Sequence, residues 1–212
     1  EINLPDQLET LGVSAFSRCS PLTNITIPSG LTELEGYLFS RCSALTEITI
    51  PRGIEKIGIT PFQGTNLSAI SVEEGNPVYK SDGNCILRKS DNQLVAGCKT
   101  SVIPAYVKRI GPYAFQGCSF TSIVIPEGVE KIGSNAFISS QLTEITLPNT
   151  LTTIEAGAFS SCEKLHSKKA LAIPESVKEI QQGAFLYSPF LIVLLPDSVE
   201  TIGSQAFFVA YI

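Results

Sequence analysis

The 212-residue chain is 43% hydrophobic and 17% charged, with a formal net charge of −5, six cysteines, one histidine and no Met or Trp. This apolar share argues against disorder. The scattered, mildly acidic charge argues against a nucleic-acid binder, since the one dense basic cluster is Lys164, Lys168 and Lys169. No apolar run approaches the ~20 residues that cross a bilayer, and no secretory signal pattern opens the chain. With no initiating Met, the segment is expected to be part of a longer protein.

Proline and phenylalanine then set a ruler along the chain. Pro5, Pro28, Pro51, Pro104, Pro126, Pro148, Pro174 and Pro196 are each followed eleven residues later by Phe, at Phe16, Phe39, Phe62, Phe115, Phe137, Phe159, Phe185 and Phe207. Aliphatic residues stand three and six positions after each proline, as at Ile54 and Ile57 or Val129 and Ile132. Glycine often follows the second, as at Gly58, Gly111, Gly133 and Gly203, where it reads as a turn. The consensus is IPxxVxxIGxxAFxxCxxLTxI, repeating every 22 to 23 residues.

Each unit reads as two short pieces. LTEITI (45–50) alternates, so Ile48 and Ile50 face one way and Glu47 and Thr49 the other. Proline ends that strand because it has no N–H for the ladder. The half from proline to Phe reads as an extended piece, a turn at Gly and about one helical turn that carries Ala and Phe inward. One unit cannot bury its apolar face alone, but a stack of them shares a core. Residues 1–212 are therefore expected to form one solenoid of eight to nine repeats.

The IPxxVxxIGxxAFxxC core resembles the BspA-like class of leucine-rich repeats, surface proteins of bacteria and some protists. The resemblance implies a right-handed leucine-rich-repeat solenoid with a parallel sheet on its concave side and short helical or 3-10 turns on its convex side. It also implies an extracellular or cell-surface setting, a non-enzymatic role and a protein partner.

The period breaks between Phe62 and Pro104. Leu67, Ile70 and Val72 still form a strand, but Glu73 stands where proline belongs. Residues 73–99 replace the usual convex half, with CILRK and QLVAG flanking SDN as a β-hairpin. The insertion is either a recognition arm or a structural variant that the fold tolerates.

Candidate chemistry is sparse. Cys19, Cys42, Cys118 and Cys162 lie three residues after their Phe, in a slot that Thr65, Ser140, Ser188 and Ala210 fill elsewhere. A ligand or a disulfide partner would not exchange with alanine, so the slot reads as small and buried. Cys85 and Cys98 flank the hairpin and either form a bridge or pack as free thiols. They have no metal spacing. His166 reads as a loop residue with no catalytic partners. Asp82 and Asp91 mark turns without the spaced oxygens of a calcium loop. No cofactor, metal site or catalytic residue is expected.

Binding, if any, falls to the residues four and two before each proline, which the alternation turns outward on the concave face. The candidates are Glu47, Thr49, Val102, Val124, Glu144, Thr146, Ile192 and Leu194. This face changes from polar to apolar towards the C-terminus and carries no aromatic platform, which favours a protein over a carbohydrate. Three roles stay open: an adhesin-like protein-binding scaffold, a spacer displaying another domain, and a carbohydrate-binding module. The chain is expected to be monomeric, with exposed edge strands that allow end-to-end contacts. Lys108 with Glu130, and Lys178 with Glu200, occupy matching positions on adjacent units.

Overall fold

A computed structural model describes residues 2–165, 170–190 and 192–208. His166, Lys168, Lys169 and Ala210 lie outside the described residues. The first units supply strands β1 (Glu33–Leu34), β2 (Glu47–Ile50), β3 (Lys56–Ile57) and β4 (Ala69–Val72), and the insertion supplies β5 (Tyr79–Asp82), β6 (Cys85–Arg88) and β7 (Leu94–Gly97). After the insertion come β8 (Arg109–Ile110), β9 (Lys131–Ile132), β10 (Thr153–Ile154), β11 (Leu171–Ala172), β12 (Glu179–Ile180), β13 (Val193–Leu194) and β14 (Thr201–Ile202). The units stack as rungs of a parallel-strand solenoid.

The alternation in LTEITI holds, with Ile48 and Ile50 buried while Glu47 and Thr49 are exposed. Before the prolines, β2 pairs in parallel with β4, and β11 with β13. The longest sheet, however, runs after the prolines. It has eight strands in the order β14-β12-β10-β9-β8-β7-β6-β5. Each rung contributes only two residues to it, such as Thr153–Ile154 against Lys131–Ile132. Two residues carry too little alternation to be seen as a strand in sequence.

The expected helical turn does not form, and there is no helix among the described residues. The stretch carrying Ala and Phe is instead a chain of overlapping turns closed by bonds such as Ala136 N–H to Gly133 O (3.1 Å) and Ser140 N–H to Phe137 O (3.0 Å). The described residues nine and thirteen after each repeat proline take the left-handed conformation, for example Asn135 (φ 56°) and Ser139 (φ 57°). Every second N–H then points along the solenoid to the next rung. Asn135, Phe137 and Ser139 donate to Ala156, Ala158 and Ser160 at 2.8–2.9 Å.

The glycines after the second aliphatic residue do not supply a left-handed turn. A Cβ on Gly58, Gly133 or Gly203 would stand 2.4–2.7 Å from backbone of the preceding rung. Glycine is required there by close approach of one rung to the next.

The Phe side chains form a spine. Phe115, Phe137, Phe159, Phe185 and Phe207 stack with centroids 5.1–5.2 Å apart, and Phe16, Phe39 and Phe62 make a second stack at 5.7 and 6.3 Å. The insertion separates the two. Its β7 lies parallel to β8, with Leu94 opposite Ile110, and β5 and β6 fold back antiparallel. Cys85, Leu87 and Leu94 pack into the C-terminal core, whereas Ile86, Ala96 and Cys98 pack into the N-terminal one. The hairpin is thus a partition across the solenoid, closed against Phe115. A Cβ on Gly97 would fall 2.0 Å from the Phe115 ring.

Candidate functional site

All eight residues expected to face outward do so. Glu47, Thr49, Glu144 and Thr146 are exposed, and Val102, Val124, Ile192 and Leu194 keep 71%, 81%, 56% and 55% of their surface in solvent. The apolar exposure is not a simple gradient. Val102 and Val124 form one island, and Ile192 and Leu194 form another. Two rungs stand between them, one carrying Glu144 and Thr146 and the other Ala170 and Ala172. The polar end is stitched across rungs, with Thr49 Oγ1 and Ser71 Oγ 2.9 Å apart.

The tip of the insertion borders the first island. Val102 N–H donates to Gly83 O (2.8 Å), and Asn84 Nδ2 donates to Thr100 Oγ1 (3.3 Å). Tyr106 Oη donates to Asp82 Oδ2 at 2.7 Å, and the Lys80 ammonium lies 4.7 Å from the Tyr106 ring centroid. Partial burial and the Asp82 carboxylate push the Tyr106 hydroxyl up to about 12. The insertion is no free arm: Cys85, Ile86, Leu87 and Leu94 are fully buried.

Asn76 fastens the insertion to the solenoid, a role that sequence reasoning missed. It is fully buried; its Nδ2 donates to Pro51 O (3.0 Å) and Ile54 O (2.8 Å). Its Oδ1 accepts from Val78 N–H (2.9 Å) and Tyr79 N–H (2.7 Å). Its sequence signal is slight, an Asn-Pro pair followed by the apolar Val78 and Tyr79.

The cysteines behave as the repeat slot suggests. All six are free, so Cys85 and Cys98 are not bridged. Cys42 Sγ donates to Phe16 O (3.0 Å), Cys162 Sγ to Phe137 O (3.1 Å) and Ser188 Oγ to Phe159 O (2.5 Å). At these three rungs a small donor in the slot caps the Phe carbonyl of the preceding rung, whereas Thr65 Oγ1 donates to Phe62 O of its own rung (2.8 Å).

Burial pushes the thiols of Cys85 and Cys118 up to about 12 and raises those of Cys42 and Cys162. These groups are protonated in the folded state and ionise more readily once unfolded. The stability they carry is present at neutral pH and is lost as pH rises from about 9 towards 12. Melting midpoints should fall across that range, and a Cys85→Ala, Cys118→Ala double variant should fall less steeply. A midpoint independent of pH there would contradict the assignment.

Two ion pairs fall where matching rung positions place them, Lys108 with Glu130 (3.3 Å) and Lys178 with Glu200 (3.5 Å). Both are exposed and contribute little. Arg109 reaches two rungs on to Glu155 (2.7 Å), whose other oxygen accepts from Ser134 N–H and Ser134 Oγ. No cluster of three or more potential metal ligands occurs among the described residues, and no helix there is long and apolar enough to cross a membrane.

The model of the BspA type leucine rich repeat region matches in six copies over residues 1–85 and 95–211. The unmatched residues 86–94 fall within the insertion. Among solved structures, the pneumococcal vaccine antigen PcpA superposes with a TM-score of 0.70 at 33% identity, over 84% of this chain and 45% of that one. A leucine-rich cell surface protein from Faecalibacterium prausnitzii superposes at 0.75 with 26% identity, over 98% of this chain and 57% of that one. A leucine-rich repeat protein from Eubacterium ventriosum, 22% identical with a TM-score of 0.50, shares the fold. The chain thus spans about half the length of the first two. No curated protein sequence gives a match.

Proposed function

The chain belongs to the BspA-type leucine-rich repeat family, and from that premise we propose that it is an extracellular, adhesin-like scaffold that binds a protein partner without catalysis. The observation that carries this reading is the face of the residues before each proline. Four aliphatic side chains, Val102, Val124, Ile192 and Leu194, are more than half exposed there, and polar residues flank them. Apolar exposure of this kind on a repeat surface marks contact with another macromolecule. The setting of the similar structures, one named as a cell surface protein and one as a vaccine antigen, supports a surface location for this chain.

Burial of the hairpin moves the proposed contact to this face, with Asp82, Tyr106 and Lys80 at its border. A polar rim with an aliphatic centre suits a protein surface better than a sugar, which stacks on aromatic rings. Binding is measured against immobilised extracellular-matrix proteins for the wild type, for Ile192→Asp with Leu194→Asp, and for Val102→Asp with Val124→Asp. At least one pair should weaken binding by about tenfold or more, equivalent to about 1.4 kcal/mol. Absence of binding to any matrix protein, or binding indifferent to both pairs, would favour a spacer and refute the scaffold reading.

A further inference from the structure

The hydrogen-bond ladder along the turn face is interrupted at one place. On each of the six other rungs whose turns are described, the N–H groups nine, eleven and thirteen residues after proline donate to carbonyls of the following rung. Tyr37, Phe39 and Arg41, for instance, donate to Ile59, Pro61 and Gln63 at 2.6–2.9 Å. The corresponding groups of the rung beginning at Pro51 are Thr60, Phe62 and Gly64. The N–H groups of these three residues find no acceptor among the described residues.

Opposite them stands the rung of Pro112, Ala114 and Gln116. Ala114 O accepts from Gly97 N–H of the partition (2.9 Å), while Pro112 O and Gln116 O receive no donor among the described residues. Between the two rungs lies a cleft of about 510 Å³, floored by the hairpin at Val95, Ala96 and Gly97. That volume lies within the range of ligand sites.

Two further polar atoms meet in it. Thr60 Oγ1 is buried and has no hydrogen-bond partner, in a residue only 7% exposed, and Gln116 Oε1 is likewise buried and unpaired. Buried polar atoms in native proteins are nearly always satisfied, so an orphaned pair facing one cleft marks it as built for a ligand. The Phe spine is broken at the same place. Phe62 lines the cleft and stacks on Phe39 on one side only, with no stacked ring between it and Phe115. Lys99 also lines the cleft and makes no ion pair among the described residues.

We propose that this cleft is a peptide-docking site, in which a turn from a partner protein completes the interrupted ladder. The peptide's alternate carbonyls accept from the N–H groups of Thr60, Phe62 and Gly64, as one rung does from the last. A bulky apolar side chain at its centre packs on Phe62, and its remaining donors serve Thr60 Oγ1, Gln116 Oε1 and the carbonyls of Pro112 and Gln116. This is main-chain recognition at an open edge, with Phe62 as the pocket that selects a small residue followed by an aromatic one. The site is independent of the face before the prolines.

The probe is a fluorescein-labelled synthetic peptide copying residues 154–161, IEAGAFSS. In the intact chain its Ala156, Ala158 and Ser160 carbonyls already accept such a triplet of N–H groups. Fluorescence anisotropy should show saturable binding, lost when the residue copying Phe159 is replaced by Ala. Thr60→Val should weaken binding by about tenfold without lowering the melting temperature, because it removes a hydroxyl that bonds to nothing. Val95→Trp, which fills the cleft, should abolish binding while the circular dichroism spectrum stays that of the wild type. The Ile192→Asp, Leu194→Asp variant should bind the peptide normally, which separates this site from the scaffold face. No saturable binding at about 1 mM peptide, the weak end of specific affinity, or binding that survives both Thr60→Val and Val95→Trp, would overturn the proposal.

Discussion

Asn76→Ala should destabilise the protein by about 4 kcal/mol and split its urea unfolding into two transitions. Four hydrogen bonds of 2.7–3.0 Å end on this one buried side chain. Truncation strands the Ile54 carbonyl and the N–H groups of Val78 and Tyr79 and leaves Pro51 O with Ile54 N–H alone, and each stranded group costs about 1–3 kcal/mol before relaxation. The split follows from where the bonds lie. Pro51 and Ile54 belong to the N-terminal stack, and Val78 and Tyr79 open the insertion, whose Cys85, Leu87 and Leu94 pack into the C-terminal core, so Asn76 fixes the partition to the N-terminal block. In a repeat array, weakening one interface lets the blocks on either side unfold separately. Asn76→Asp should be nearly as damaging, because a carboxylate would face the carbonyls of Pro51 and Ile54. A single transition with a shift below about 1 kcal/mol would show that the partition is held by its apolar contacts instead.

Phe137→Ala should cost about 4 kcal/mol, in the range for a fully buried aromatic. Its ring is inaccessible, stacked between Phe115 (5.2 Å) and Phe159 (5.1 Å) and met edge-on by Phe120 (6.4 Å). Phe16→Ala should cost about 1–2 kcal/mol, since that ring is half-buried and stacks on Phe39 alone. Urea midpoints for the two variants test whether a rung's contribution scales with its neighbours. Equal losses would mean that the spine does not act as a nearest-neighbour stack.

Much of this architecture is legible in sequence because it depends on residue spacing alone. The Pro–Phe interval, the buried and exposed alternation at Ile48 and Glu47, and the small slot at Cys42 each follow from one repeat. So does the pairing of Lys108 with Glu130. Features that depend on how one rung meets the next are harder to see. The left-handed residues nine after proline include Ser14, Tyr37, Thr60, Asn135 and Gln205, a set with no shared chemistry, so the turns resemble a helical segment. Gly58 and Gly133 look like turn residues, yet their role is set by the backbone of the rung before. Asn76 and Thr60 are ordinary polar residues until the packing shows one with four partners and the other with none. The eight outward residues are legible by alternation, but the separation of the four aliphatic ones into two islands depends on how the rungs are stacked.

The partition has a consequence for folding. A stack of near-identical rungs is translationally degenerate, since a chain displaced by one repeat would satisfy almost the same contacts. Misregistered states therefore compete with the native one, and the Pro–Phe rule itself cannot tell them apart. The hairpin breaks that symmetry. Only one arrangement brings Gly97 under the Phe115 ring and Asn76 onto Pro51 and Ile54, so a slipped chain loses both together. The irregular segment is the index mark from which every other rung is counted.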